Sequence, residues 1–433
     1  MTWRWRRRAG AATFVMRATA LVVVACTFAC VLLASRPAHA FPWMIREGYT
    51  GCNTCHADPS GAGILTAYGR GMEEVVLRMP YKKDADPGKL GNFAWSVDLP
   101  EQLLLQTDFR NLAMVLFPSG SSAQFQDVLM QLDQSAQLKL GRFRMNGSIG
   151  YSPPSVANGE FTGGGLGATL TDAPGQYGAL VARQYWLGLD IGKDEEFLLR
   201  AGRINVPFGV RTIEHPFLVR QVTRTDIDKG QQHGVSLAYT GEKVRGEIMA
   251  IAGNFAISPD AFRERGGSGF FEWMPSNKVA VGASALITHA DQARTDYDAS
   301  LAPAPIWRHA YAVHARISPV KPLVILAEFD ALLNSQLVAG NAENHAGVVA
   351  LLQADVQVYQ GIHVLAAGEV YNGHIGETST YDTTTATAWL GAWWFFAPHF
   401  DFRIDGVYSS GSAPGLPPSA QGTSLLAQIH GYL

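Results

Sequence analysis

Cys52-Asn53-Thr54-Cys55-His56 carries the residue types in this 433-residue chain best suited to do chemistry. Two thiols separated by two residues and followed at once by an imidazole form the attachment sequence of a c-type haem. The thiols add to the vinyl groups of the porphyrin as thioethers, and the imidazole serves as an axial ligand to the iron. A five-residue match can arise by chance, but its position here argues against that. The motif starts 12 residues into the expected mature chain, which holds no other cysteine.

Residues 1–40 read as a secretory signal peptide. Arg4, Arg6, Arg7 and Arg8 supply the basic start, Ala18 to Ala34 the apolar run, and Ala38-His39-Ala40 the small-residue cleavage site. Cys26 and Cys30 lie in the discarded run. Export takes the chain to the compartment where c-type haem is attached, so the two signals agree. Loss of the leader removes six Arg and no acid, which takes the net charge from −3 to −9. That balance argues against nucleic acid as a partner and favours cations. No further run of 18 apolar residues follows, so a membrane role would fall to a closed barrel.

Two regions must position the motif. Residues 41–95 contain it, then a short helical stretch from about Leu65 to Arg78, then the breakers Pro80, Pro87 and Gly88. Fifty residues bury too little surface to stand alone, so this segment is expected to fold against the rest of the chain. Residues 96–433 alternate apolar and polar in segments of about ten, with turn residues between them. Phe143–Tyr151, Val244–Asn254 and Leu323–Leu333 are examples, and Ala386–Ala397 with Phe400–Ser410 reads as a hairpin. Short turns such as Gly141-Arg142 and Pro398-His399 alternate with longer polar loops, the layout of outer-membrane barrels. The expected fold is mainly β: a transmembrane antiparallel barrel of about 14–16 strands, plugged by a small α-helical N-terminal haem segment. Trp389, Trp393, Trp394, Phe395 and Phe396 read as an interfacial aromatic girdle. The loop 207–232, with Arg211, His215, Arg220, Arg224, Asp226, Asp228 and Lys229, reads first as a solvated surface loop and second as a loop folded into the lumen.

Residues 41–72 resemble the fused monohaem cytochrome–porins of the bacterial outer membrane, some of which oxidise ferrous iron. The resemblance rests on Arg46 in the stretch before the haem cysteines and on Leu65-Thr66-Ala67-Tyr68-Gly69-Arg70 after the haem histidine. It also rests on the order of signal, haem segment and barrel. The Glu47-Gly48-Tyr49 stretch and the Ser60-Gly61-Ala62-Gly63 spacer depart from the family pattern. The resemblance implies one covalently attached haem c and a place in the cell outer membrane. It also implies electron transfer from extracellular Fe(II) or another redox donor to a periplasmic c-type cytochrome.

Cys52 and Cys55 are therefore the expected attachment points and His56 the proximal ligand. Met79, in a Met-Pro pair like those at the sixth ligand of small cytochromes, is the leading distal candidate. Met72, Met44, a histidine or an open position are the alternatives, and the plain reading of each methionine is packing against the haem edge. Arg46 and Arg70 are candidates to pair with the propionates, because guanidinium binds carboxylate in a bidentate fork. The ten histidines beyond Pro100 show no metal-site spacing. Two rival readings remain: a solute-transport porin whose haem segment is a plug or redox gate, and a periplasmic haem enzyme on a soluble β fold.

Overall fold

A computed structural model describes residues 41–49, 51–61, 63–80, 97 and 99–432, apart from 119, 121, 153–155, 158–159, 162–178, 215, 228–229, 254–260, 294–300, 376–383 and 412–421. The signal peptide, the boundary near residue 95, His215, Asp228 and Lys229 lie outside the described residues.

The alternating segments form strands β1 (Leu103–Pro118), β2 (Gln124–Leu140), β3 (Phe143–Ser152), β4 in two pieces (Ala179–Val181 and Tyr185–Ile191), β5 (Phe197–Ile204), β6 (Gln232–Thr240), β7 (Val244–Gly253) and β8 (Arg265–Ser276). They continue as β9 (Val279–Ala290), β10 (Ile306–Val320), β11 (Leu323–Val338), β12 (Asn341–Tyr359), β13 (Ile362–Asn372), β14 (Thr384–Ala397), β15 (Phe400–Ser410) and β16 (Gly422–Tyr432). Each pairs antiparallel with the next. Both pieces of β4 pair with β3, so the seventeen hydrogen-bonded segments make sixteen staves. β1 closes on β16, with Asp108 opposite Tyr432 and Leu116 opposite Ser424. No edge is left, as a sheet in lipid requires. No described helix is long and apolar enough to cross a membrane; here the strands cross.

The pleat sets the two faces. Leu187, Ile248, Leu352 and Leu390 point outward and are 60–65 % exposed. Aromatic residues stand at both ends of this apolar band: Trp307 and Tyr311 near the long loops, Trp273 and Trp394 near the short turns. Such a surface is built for a bilayer. The turns after β2, β4, β6, β8, β10, β12 and β14 are all short and lie at one end, the end that is periplasmic in barrels of this kind.

Two expectations are corrected. The aromatic cluster on β14 is not one girdle, because strand period two splits it. Trp394 faces out, while Trp393 and Phe395 face the lumen and are fully buried. The loop after β5 is not solvated. It folds into the barrel, where Phe217, Leu218, Val219 and Arg220 are 0–1 % exposed. A short helix, α2 (Leu218–Thr223), follows the turn there. Its polar groups meet the wall: Arg220 pairs with Glu328, the Val219 amide donates to Glu369 (3.2 Å), and Arg211 pairs with Glu247 (3.2 Å).

Residues 41–80 occupy the short-turn mouth. A 3₁₀ turn (Pro42–Glu47) buries Trp43, Met44 and Ile45 against Val324, Leu326, Leu365, Trp393 and Phe395. Each buried side chain contributes about 1.5–3 kcal/mol. The wall thus supplies the burial that so small a segment lacks.

Replacing Arg220 with Ala would leave Glu328 buried without its guanidinium, at a cost of about 3–5 kcal/mol. The lumen loop should then come free. Planar-bilayer recordings should show increased conductance, and limited proteolysis should cut within 205–231. Unchanged conductance and protection would mean that apolar packing alone seats the loop.

Candidate functional site

Cys52–Thr54 form one 3₁₀ turn, and the His56 amide donates to the Cys52 carbonyl (2.9 Å). Residues at i, i+3 and i+4 of a helical turn share a face, which groups Cys52, Cys55 and His56. Both thiols are free. The chain then doubles back: His56 bridges Leu65, and the Ala57 amide donates to the Ile64 carbonyl (2.9 Å). Gly61, at φ +85°, makes this return possible, and a Cβ there would crowd the Cys52 side chain at 2.9–3.0 Å. Gly61, in the spacer that departs from the family pattern, thus sits directly behind the first cysteine. Thr66 caps the helix α1 (Ala67–Met72), its hydroxyl accepting from the Gly69 amide (3.0 Å). Gly69 passes so close to Cys55 that any Cβ would overlap the Cys55 carbonyl.

His56 is buried, and its Nδ1 lies 3.3 Å from the Gly63 carbonyl. With the proton on Nδ1 donated there, Nε2 carries the lone pair that a metal needs. His56 lines a cavity of about 590 Å³ at the short-turn mouth, together with Arg70, Gln137, Lys139, Arg144 and Asp190. That volume lies within the range of cofactor sites, roughly 300–1,000 Å³. Arg70 is buried there and donates to the Leu105 carbonyl. Burial pulls its guanidinium down to about 10, partly offset by Asp108. Two free thiols, an oriented imidazole, a cationic side chain and a cavity of this size fit a covalently held haem. Neither cysteine lines the cavity. The Cys52 sulfur accepts from Arg245 Nη1 (3.1 Å), and Cys55 packs against Leu65 and Tyr432.

The structure brings Arg70 to His56 but not Arg46 or Met79. Arg46 is buried beneath Trp43, pairs with Asp355 and donates to the Pro322 carbonyl (3.2 Å). Met79 sits against Gly361, its amide donating to the Phe395 carbonyl (3.2 Å) and its sulfur accepting from Trp394 Nε1 (2.7 Å). Met72 accepts from the Tyr49 hydroxyl (3.6 Å), and Met44 is in the apolar core.

Sequence reasoning missed the wall partners. Asp58 pairs with Arg200 (2.8 Å), which also holds Glu247 (2.5 Å). Asn205 donates to Ser60 (3.1 Å). Arg245 and Arg316 share Glu272 beside Cys52 (2.6 and 2.7 Å). Burial raises the pKa of the Cys52 thiol, and Arg245 and Arg316 more than reverse that, leaving it below its ordinary value. Burial pushes Cys55 up to about 11. Nothing local in the sequence could name these partners, because each lies more than 100 residues from the plug.

Two outcomes are expected. If haem is attached at Cys52 and Cys55, Gly69→Ala should abolish that attachment, measured as pyridine haemochrome per barrel. Gly71→Ala, where a Cβ meets open space, should leave it unchanged. In chain expressed without haem, thiolate is the reactive form. Iodoacetamide near pH 7 should label Cys52 first, and Cys55 only as the pH rises toward 11. Arg245→Met should slow the Cys52 reaction, and equal rates for both thiols would contradict this electrostatic assignment.

No protein-family model and no curated protein matches the chain. Solved structures do match in fold. OmpT, expressed in the outer membrane of Vibrio cholerae, aligns with a TM-score of 0.55 at 10 % identity, over 78 % of this chain and 99 % of its own. The anion-selective porin from Comamonas acidovorans aligns at 0.54 and 11 % identity, over 76 % and 99 %. The outer-membrane channel DcaP of Acinetobacter baumannii aligns at 0.51 and 10 % identity, over 76 % and 97 %. The barrel thus has the porin fold of bacterial outer-membrane proteins, and residues 41–80 are packed inside it.

Proposed function

We propose that this chain is an outer-membrane electron conduit built on a porin barrel. It would carry one haem c at Cys52 and Cys55 with His56 as axial ligand, and connect extracellular Fe(II) with a periplasmic cytochrome. The observation that supports the reading is the position of the Cys52–His56 turn within a closed barrel, its His56 lining a cavity of about 590 Å³. Bound there, the haem would supply one-electron chemistry. The chain's own residues do the rest. His56 is oriented by Gly63, Arg70 offers a cation to a propionate, and the plug and lumen loop close the barrel. The site faces the short-turn end, where a periplasmic acceptor would dock. The resemblance in residues 41–72 supports Fe(II) as donor.

The second reading is a solute-transport porin with a redox gate, favoured by the porin fold of its structural neighbours. The buried lumen loop and plug weigh against an open solute path.

Anaerobic visible spectroscopy of the oxidised, detergent-purified protein after addition of Fe²⁺ tests the first reading. Prompt growth of the reduced α-band is expected, together with low bilayer conductance. No reduction by Fe²⁺ while dithionite still reduces the haem would remove iron as the donor. Large ohmic conductance would favour the porin.

A further inference from the structure

From Pro322 to Phe402 the chain holds eight acids and not one Lys or Arg. These residues build β11 to β14, four neighbouring staves on one side of the barrel. Two buried acids deep in this wall receive cations from elsewhere: Arg46 of the plug pairs with Asp355, and Arg220 of the lumen loop with Glu328. Toward the long-loop rim no such donor is supplied by the wall itself, and two imidazoles meet there. The rings of His345 on β12 and His374 just beyond β13 have centroids 5.0 Å apart, with planes at 81°.

Their position follows from the pleat. Val349 and Leu351 face the lumen, so His345, at the same parity, does too. Asn334 of β11 stands directly opposite it in the register. The segment carrying His374 is pinned by the Ile375 amide donating to the Ala346 carbonyl (2.8 Å) and by the His374 amide donating to Asn372 (3.0 Å). Glu343 lies two residues from His345 on the same strand face and is exposed.

We propose that His345 and His374 form a docking site for a first-row transition-metal dication at the outer mouth. Imidazole nitrogens bind such metals at about 2.0–2.1 Å. Two rings bound cis, each centroid about 1 Å beyond its nitrogen, would sit roughly 4.5–5.2 Å apart, and the observed pair falls in that interval. Among the described residues no cluster of three His, Cys, Asp or Glu groups has metal-binding geometry. The site therefore gives two protein ligands, with water and the Asn334 carbonyl available to complete the shell. Two ligands suit capture and release rather than permanent retention, and the cation-free wall draws dications toward them. Affinity follows ligand type, so Cu²⁺ should bind more tightly than Ni²⁺ or Zn²⁺, and Fe²⁺ more weakly still. The site needs no haem, so it stands or falls apart from the conduit reading.

The test is Cu²⁺ titration of the untagged, detergent-purified full chain, read by electron paramagnetic resonance. One equivalent with hyperfine splitting from two nitrogens is expected. His345→Ala and His374→Ala should each weaken that equivalent by at least about tenfold, since even an outer-shell partner is worth that much. His309→Ala, on the outer wall, should leave it intact. Heat-modifiable gel mobility checks that each barrel is folded, and His345→Asn and His374→Asn stand in for any alanine variant that is not. A two-nitrogen signal that survives in both variants, or that never appears, overturns the proposal.

Discussion

Buried charge is the constraint on which the rest of this structure depends. A sixteen-stave barrel has a lumen wide enough for water, and its wall is lined with ionisable groups. Once the lumen is filled, each of those groups must find a partner, because an isolated buried charge costs far more than folding can supply. The partners are supplied across the lumen. Asp355 and Glu328, on a wall with no arginine, are met by Arg46 of the plug and Arg220 of the loop. The opposite wall offers Arg200 and Arg245, met by Asp58 and Cys52 of the plug. The inserted segments are thus cut to the charge pattern of the wall. The apolar contact of Phe41, Trp43 and Ile45 with Trp393 and Phe395 adds the area term.

Much of this was legible in the sequence, for an identifiable reason. A strand between lipid and lumen must alternate, and turns must interrupt it, so the barrel and its short turns can be read residue by residue. The C-x-x-C-H turn and the helix after it are equally local. What failed was whatever depended on the third dimension. Trp393 and Trp394 are adjacent in sequence yet face opposite media. Arg211, Arg220 and Arg224 looked solvated because their acids, Glu247, Glu328 and Glu264, lie 36, 108 and 40 residues away. Met79 looked like a haem ligand from its neighbour Pro80, but its position is set by Gly361 and Phe395.

The placing of the motif also bears on direction. The plug and its cavity sit at the short-turn end, so the site is nearer the periplasm than the outer medium. The described residues of the lumen loop reach from the plug core, where Val210 packs with Trp43, to the acids nearer the long-loop end, where Arg224 pairs with Glu264.

The charge around Cys52 ties the plug to the wall. The Cys52 sulfur accepts from Arg245, and Arg245 and Arg316 share Glu272. Those two guanidiniums outweigh burial and hold the Cys52 thiol below its ordinary pKa. A thioether at that sulfur would remove the negative charge a thiolate supplies and leave two guanidiniums facing a single carboxylate, a surplus that a buried cluster tolerates poorly. The propionates of a haem lie on the edge of the ring opposite its vinyl groups, so they would not reach Arg245 while Cys52 held the vinyl edge. Glu272 would then be the anion that keeps both arginines in place.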